Sequence, residues 1–136
     1  MRHHQVFVYG TLMKQEANHH YLRHAHYRGP ANTAPQYRLY SLGPYPVLCL
    51  NGKQRIHGEV YRVSQRQMHQ LDQLEEYPHY YQRKHIPTPY GRAWIYYHRQ
   101  TPTPSKPIPS GNWRAEQGRI LQRFNGCLTD GWDSRE

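Results

Sequence analysis

The sequence predicts a mixed α/β domain built on a twisted sheet that could close on itself. Three observations carry that expectation. Residues 64–77 alone have clear helical periodicity between a start and a stop signal. Six short segments around them have strand character, one before and three in a run ahead of the helix and two after it. The chain of 136 residues is long enough for one domain with a proper core and too short for two comfortable ones.

The first strand is Val6-Phe7-Val8-Tyr9, four apolar residues in a row, which reads as a strand buried on both faces. Gly10 and Thr11 cut it, and Gly10 lets the backbone turn sharply. A turn after a buried strand can leave several N–H groups pointing one way, a concave set of donors suited to a carboxylate. The plainer alternative is a first strand and its turn. From Leu12 to about Ala25 the chain is mostly polar, a loop and then a short helix with Asn18 as N-cap, ended by Gly29-Pro30. Residues 36–42 alternate as a half-buried strand, Gly43-Pro44-Tyr45-Pro46 is a rigid loop, and Val47–Leu50 is an apolar strand. Asn51-Gly52 is the strongest hairpin signal in the chain, with a return strand from about Arg55 to Val63.

The period then changes. Ser64 with Gln67 makes a capping-box pattern and Pro78 closes the segment, while Met68, Leu71 and Leu74 form one helical stripe. With Met68 at zero and about 100° per residue, Leu71 falls near about −60°, Leu74 near about −120° and Glu75 near about −20°. Glu75 therefore lies inside the apolar stripe, Asp72 at its edge and Glu76 outside it. A carboxylate turned toward a core has its pKa raised by desolvation, into the range of a general acid/base near neutral pH. A buried salt bridge to Arg83 or Arg38 explains the same placement equally well. Asp72 and Glu76 read as solvated surface charges. Residues 80–87 and 91–99 return to strand character, and 101–110, with four prolines, is an irregular loop before a mostly polar tail.

Composition narrows the function. The chain carries 18 Lys and Arg against 9 Asp and Glu, a formal net charge of +9. These charges are scattered, without a block or stripe, and RNA-binding signatures and zinc-finger spacings are absent, so no specific nucleic-acid partner is expected. His20 and His24 have metal-site spacing but no Cys or acid partner nearby, and read as solvated. Two cysteines imply no disulfide framework, and Cys49 reads as a packed core thiol. Glu59, on a strand among many arginines, reads as an ion-pair partner. No signal peptide or membrane-spanning run is visible, which points to a soluble, cytoplasmic domain. No nucleophile elbow, P-loop or dinucleotide fingerprint is present.

Several segments, taken in order and spacing from about residue 5 to 114, resemble the gamma-glutamylcyclotransferase-like family. They are Val6–Leu12, Tyr45-Pro46-Val47-Leu48, Gly58-Glu59-Val60-Tyr61, Leu71–Pro78, Tyr81-Gln82-Arg83 and Ala93-Trp94-Ile95-Tyr96. Ser110-Gly111-Asn112-Trp113 is similar to a late family segment, with Asn112 in place of an acid, and residues 115–136 form a polar extension beyond the match. The resemblance implies a small, closed or nearly closed mixed β-barrel flanked by helices. It implies that the loop Tyr9, Gly10, Thr11, Leu12 binds the α-carboxylate end of a γ-glutamyl group through backbone N–H groups. It maps the family's essential carboxylate onto Glu75 and places Tyr81 in the pocket wall.

The implied reaction is attack of the substrate's α-amine on its own γ-carbonyl, a transferase- or lyase-type step. It releases 5-oxoproline and an amine or amino acid, with no metal or organic cofactor. The partner is then a small γ-glutamyl molecule, with no membrane. The alternative is a non-catalytic module of the same fold that binds a γ-glutamyl or carboxylate metabolite. Glu76 stands where many members of the family have glycine.

Overall fold

A computed structural model describes residues 3–101 and 105–115. Strand β1 (His3–Val8) leads into a loop and a single 3-10 turn at His19–Leu22, then β2 (His26–Asn32), β3 (Tyr37–Ser41), β4 (Pro46–Leu50) and β5 (His57–Ser64). Helix α1 (Gln65–Leu74) follows β5 without a break, and β6 (Gln82–Ile86), β7 (Ala93–Tyr97) and the two-residue β8 (Lys106–Pro107) complete the fold. Five strands form one sheet in the order β2-β5-β1-β7-β6, and three form a second in the order β4-β3-β8.

The apolar run at the start of the chain occupies the centre of the larger sheet. β1 pairs antiparallel with β5 and parallel with β7, and Val6, Phe7 and Val8 are all buried. A strand flanked on both sides and covered on both faces needs apolar residues without alternation, which is the pattern read from its sequence. Around it one core joins both sheets to α1 through Met68 and Leu71 and to the end of the described chain through Ile108 and Trp113. Asn112 Oδ1 accepts from Ala115 N at 3.0 Å, so the amide supplies the turn-capping oxygen that an acid would supply at this position.

The expected barrel is not formed: both sheets are open. β2 and β6 are the edges of the larger sheet and do not pair with each other. Closure needs continuous, staggered hydrogen bonding at the joining edges. Edge strand β2 carries an irregularity between Tyr27 and Gly29 and then Pro30, which has no N–H to give. The two sheets are joined by an isolated parallel bridge between Cys49 and His98.

The hairpin expected at Asn51-Gly52 is also absent. β4 pairs with β3 through the Gly43–Tyr45 loop, while β5 leaves to pair with β1 and β2. Asn51 does take φ of 66°, but Gly52 tucks against β3. Its N–H donates to Gln36 O at 3.1 Å, and a Cβ there would sit 2.2 Å from Tyr37 O. Val60, Tyr61 and Val63 are buried, and two strand partners in the larger sheet cover β5 better than one hairpin neighbour could. Gly29-Pro30, read as the end of a helix, lies inside β2, and the helix itself shrinks to the 3-10 turn. Asn18 caps nothing there; its Nδ2 donates to Thr11 Oγ1 at 3.0 Å.

Helix α1 begins as expected, with both halves of the capping box formed between Ser64 and Gln67. It ends three residues before Tyr77. Tyr77 N donates to Asp72 O at 2.9 Å and Glu76 N to Gln73 O at 3.2 Å, the paired bonds of a Schellman stop. That motif needs a left-handed residue after the C-cap, and Glu76 supplies it with φ of 54°. Glu76 thus occupies a backbone position where glycine costs least. The irregular loop contains β8, and residues 102–104 and the polar extension after residue 115 lie outside the described residues. No helix of the described chain is long and apolar enough to cross a membrane.

Candidate active site

The end of β1 and the end of α1 meet at one cavity. It has a volume of about 380 Å³ and is lined by Tyr9, Gly10, Thr11 and Leu12 from the loop and by Glu75 and Tyr81 from the helix end and beyond. All six residues singled out by sequence therefore share one concavity. Its remaining wall includes Asn18, Tyr45, Pro46, Tyr80 and Tyr96, and among the described residues no Lys, Arg or His lines it.

The loop is tied down at several points around the cavity. Tyr9 Oη donates to Tyr96 O at 2.7 Å, tying the loop to β7. The carbonyls are occupied: Met13 N donates to Gly10 O at 3.0 Å and Asn18 N to Thr11 O at 2.8 Å. The N–H groups of Gly10, Thr11 and Leu12 find no acceptor among the described residues. Such a set of backbone donors lining a cavity is a ready anion cradle. Gly10 is required by proximity rather than by a left-handed turn, because a Cβ there would lie 2.5 Å from Pro46 Cγ. Pro46 starts β4, so the loop is clamped between the two sheets.

Glu75 is the C-cap of α1, and its N–H continues the helical ladder to Leu71 O at 2.9 Å. The residue is half-buried at the cavity wall, and its carboxylate has no hydrogen-bond or ion-pair partner among the described residues. Burial pushes its pKa up from 4.5 to about 7. The competing expectation of a salt bridge to Arg83 is overturned by Asp72. Arg83 Nε lies 2.9 Å from Asp72 Oδ1, and Arg83 Nη2 donates to Asp72 Oδ2 at 3.1 Å. Asp72 also accepts from Tyr96 Oη at 2.7 Å, so it is not the solvated charge expected from the helical wheel. Glu76, by contrast, is exposed as expected.

Tyr81 is buried, and its hydroxyl donates to Pro46 O at 3.3 Å. Burial first, and then the negative charge of Glu75, hold the Tyr9 and Tyr81 phenols well above their ordinary range, with Tyr81 adding to the shift at Tyr9, so both stay protonated donors. Tyr80 packs edge-on against Tyr81, with ring centroids 5.0 Å apart. Tyr45, Tyr80 and Tyr96 were not singled out from the sequence as site residues. The Tyr45–Leu48 and Ala93–Tyr96 motifs held two of them, but a strand motif alone does not say which of its side chains meets a cavity. Glu59 has the structural role expected of it: it accepts from Lys14 N at 3.0 Å and Tyr61 Oη at 2.9 Å and lies 3.7 Å from Arg114 Nη1.

Comparison with known proteins gives the family of the chain. Residues 6–115 match the family described as gamma-glutamyl cyclotransferase, AIG2-like. A Vibrio cholerae protein named only provisionally as a gamma-glutamylcyclotransferase is 49% identical over 110 residues, covering 81% of this chain and 95% of its own. The Escherichia coli gamma-glutamylcyclotransferase family protein YtfP is 38% identical over 109 residues, covering 80% of this chain and 95% of its own. The solution structure of E. coli YtfP superposes with a TM-score of 0.68 at 37% identity, over 83% of this chain and 98% of that one. The Pyrococcus horikoshii protein PH0828 superposes with a TM-score of 0.75 at 26% identity, over 89% of this chain and 97% of that one. With the sequence match spanning the loop, the helix end and every strand between them, the chain belongs to the gamma-glutamyl cyclotransferase, AIG2-like family.

Proposed function

We propose that the protein cyclises a γ-glutamyl substrate to 5-oxoproline with release of an amine, with Glu75 as general acid and base. The observation that carries this reading is an unpaired carboxylate with a pKa of about 7 sharing a cavity with three uncommitted backbone donors. The N–H groups of Gly10, Thr11 and Leu12 hold the substrate's α-carboxylate, which places the adjacent α-ammonium toward Glu75. The Glu75 carboxylate takes one proton from the ammonium, and the freed amine nitrogen attacks the γ-carbonyl carbon.

A five-membered ring closes through a tetrahedral intermediate. The bond from that carbon to the leaving nitrogen breaks as Glu75 returns the proton to it. The second proton lost by the ring nitrogen leaves with the amine as its ammonium form, so no water is consumed. A pKa close to ambient pH lets one carboxyl both accept and donate. Because nucleophile and electrophile belong to one molecule, the reaction is already intramolecular, and holding the chain curled selects its near-attack conformer. The protein's own task is then orientation and one proton relay, for which the cavity has the parts.

The test is 5-oxoproline release from a panel of γ-glutamyl amines and γ-glutamyl peptides, wild type beside Glu75→Gln. Release by wild type and none by the variant supports the reaction and the base. Turnover retained in Glu75→Gln removes Glu75 from the mechanism. Saturable binding of panel members with no release by wild type replaces the enzyme with a binding module.

A further inference from the structure

A second concavity, of about 330 Å³, opens where β1 begins beside β5, β6 and β7, and it is built from cations. Its lining holds Arg28, Arg62 and Arg92 together with His3, His4 and His85 and, among the described residues, no Asp or Glu. These arginines are about 30 residues apart in sequence, which is why the charge looked scattered; strand pairing collects them. Every ion pair among the described residues uses Arg83 or Arg114, so none of the three has a carboxylate partner there. The crowding is felt at His85, whose pKa is pushed below its ordinary value by burial and by Arg92, Arg83 and His4. Like charges gathered without counter-charges favour an anion between them.

The geometry narrows the anion. Arg92 Nη2 donates to His85 Nδ1 at 2.9 Å, and because a guanidinium cannot accept, the ring's own proton sits on Nε2. His85 stacks on Trp94 with centroids 3.7 Å apart, and Arg83 Cζ lies 4.1 Å from the same ring. Arg83 and His85 are alternate residues of β6, about 6.7 Å apart along a strand, and both pack against Trp94. The indole is thus already stacked on the chain's own groups, unlike the open aromatic platform on which single-stranded nucleic acid stacks its bases. Trp94 also lines the concavity, and its Nε1–H is buried without an acceptor among the described residues. Guanidinium forks match the oxygens of a phosphate group, and the volume is that of a small-molecule site.

We propose that this concavity binds a small phosphorylated metabolite, with Arg28, Arg62 and Arg92 on its phosphate and the Trp94–His85 wall against its body. The site is independent of the cyclotransferase cavity, and its test does not involve that reaction. Calorimetric titration of the full chain with inorganic phosphate, glucose 6-phosphate and adenosine monophosphate is compared across three proteins. They are wild type, Arg62→Gln/Arg92→Gln, and Lys53→Gln/Arg66→Gln as a control of equal charge change at exposed positions outside the concavity.

The expected result is saturable binding to wild type, tighter for at least one ester than for inorganic phosphate. That binding should weaken at least tenfold in the Arg62/Arg92 variant and less than twofold in the control. Equal weakening in both variants, or no saturable binding to wild type, overturns the site. Equal affinity for inorganic phosphate and both esters overturns the metabolite. A 12-nucleotide single-stranded RNA that binds at least a hundredfold more tightly than adenosine monophosphate, and is lost in the Arg62/Arg92 variant, overturns it in favour of nucleic acid. Circular dichroism on each variant confirms that surface glutamines leave the fold intact.

Discussion

Replacing Glu75 by glutamine should make the folded protein more stable, and by an amount that grows with pH. The carboxyl is raised from 4.5 to about 7 by burial, with no partner among the described residues to offset it. A raised acid pKa means that the folded state binds the proton more tightly than the unfolded chain. Wild-type stability therefore falls as pH rises from about 4.5 to about 7, and is level above and below. Glutamine has nearly the shape of the protonated acid and no such dependence. The advantage of Glu75→Gln over wild type then works out at about 0.8 kcal/mol at pH 5, about 2 kcal/mol at pH 6 and about 3 kcal/mol at pH 8. These are ceilings, because water entering the cavity mouth screens part of the cost. Urea unfolding of both proteins at pH 4, 5, 6, 7 and 8 reads the difference directly. A difference that stays flat across that range, or a variant less stable at pH 8, would refute the reasoning: the carboxylate would then be well solvated or paired in the folded state.

Three other outcomes follow from the same geometry. The pH profile of kcat/KM for 5-oxoproline release should have an acidic limb with a midpoint near 7, the value to which burial raises Glu75, because its basic form starts the reaction; a limb near 4.5 would mean an unperturbed carboxylate. Glu76→Gly should raise stability by about 0.5–1 kcal/mol, since relief of the left-handed backbone outweighs the extra freedom that glycine has in the unfolded chain, and a lower thermal midpoint would contradict it. Gly10→Ala should cost about 1–3 kcal/mol and weaken substrate capture, because a Cβ 2.5 Å from Pro46 Cγ has to push the donor loop from its clamp; unchanged stability and KM would show that the clamp yields freely.

Much of the candidate site was legible because it depends on local rules. A four-residue apolar run at Val6–Tyr9 became the central strand, and the turn after it kept its donors uncommitted. The Ser64–Gln67 box set the phase of α1, and that phase alone turned Glu75 inward. What was not legible required knowing neighbours. Whether Glu75 is an acid/base candidate or half of a salt bridge was undecidable from the helix, since both need the same inward angle. Asp72 decided it by engaging Arg83 across the gap to β6.

Thus the amino-acid order by itself determined the elements that obey short-range physics: the buried first strand, the capped helix, the inward carboxylate and the family motifs that join them. Tertiary structure decided everything set by competition among distant segments. Asn51-Gly52 carries a strong hairpin preference, yet β5 went to β1 and β2, because a strand with so many buried side chains gains more between two partners than a turn gains by its own geometry. The sheet stayed open because Pro30 and the irregularity beside it leave β2 without a continuous edge to close on. The three arginines of the cationic concavity met for the same reason that they looked scattered: only the order of strands in a sheet, absent from any local pattern, brings residues 28, 62 and 92 together.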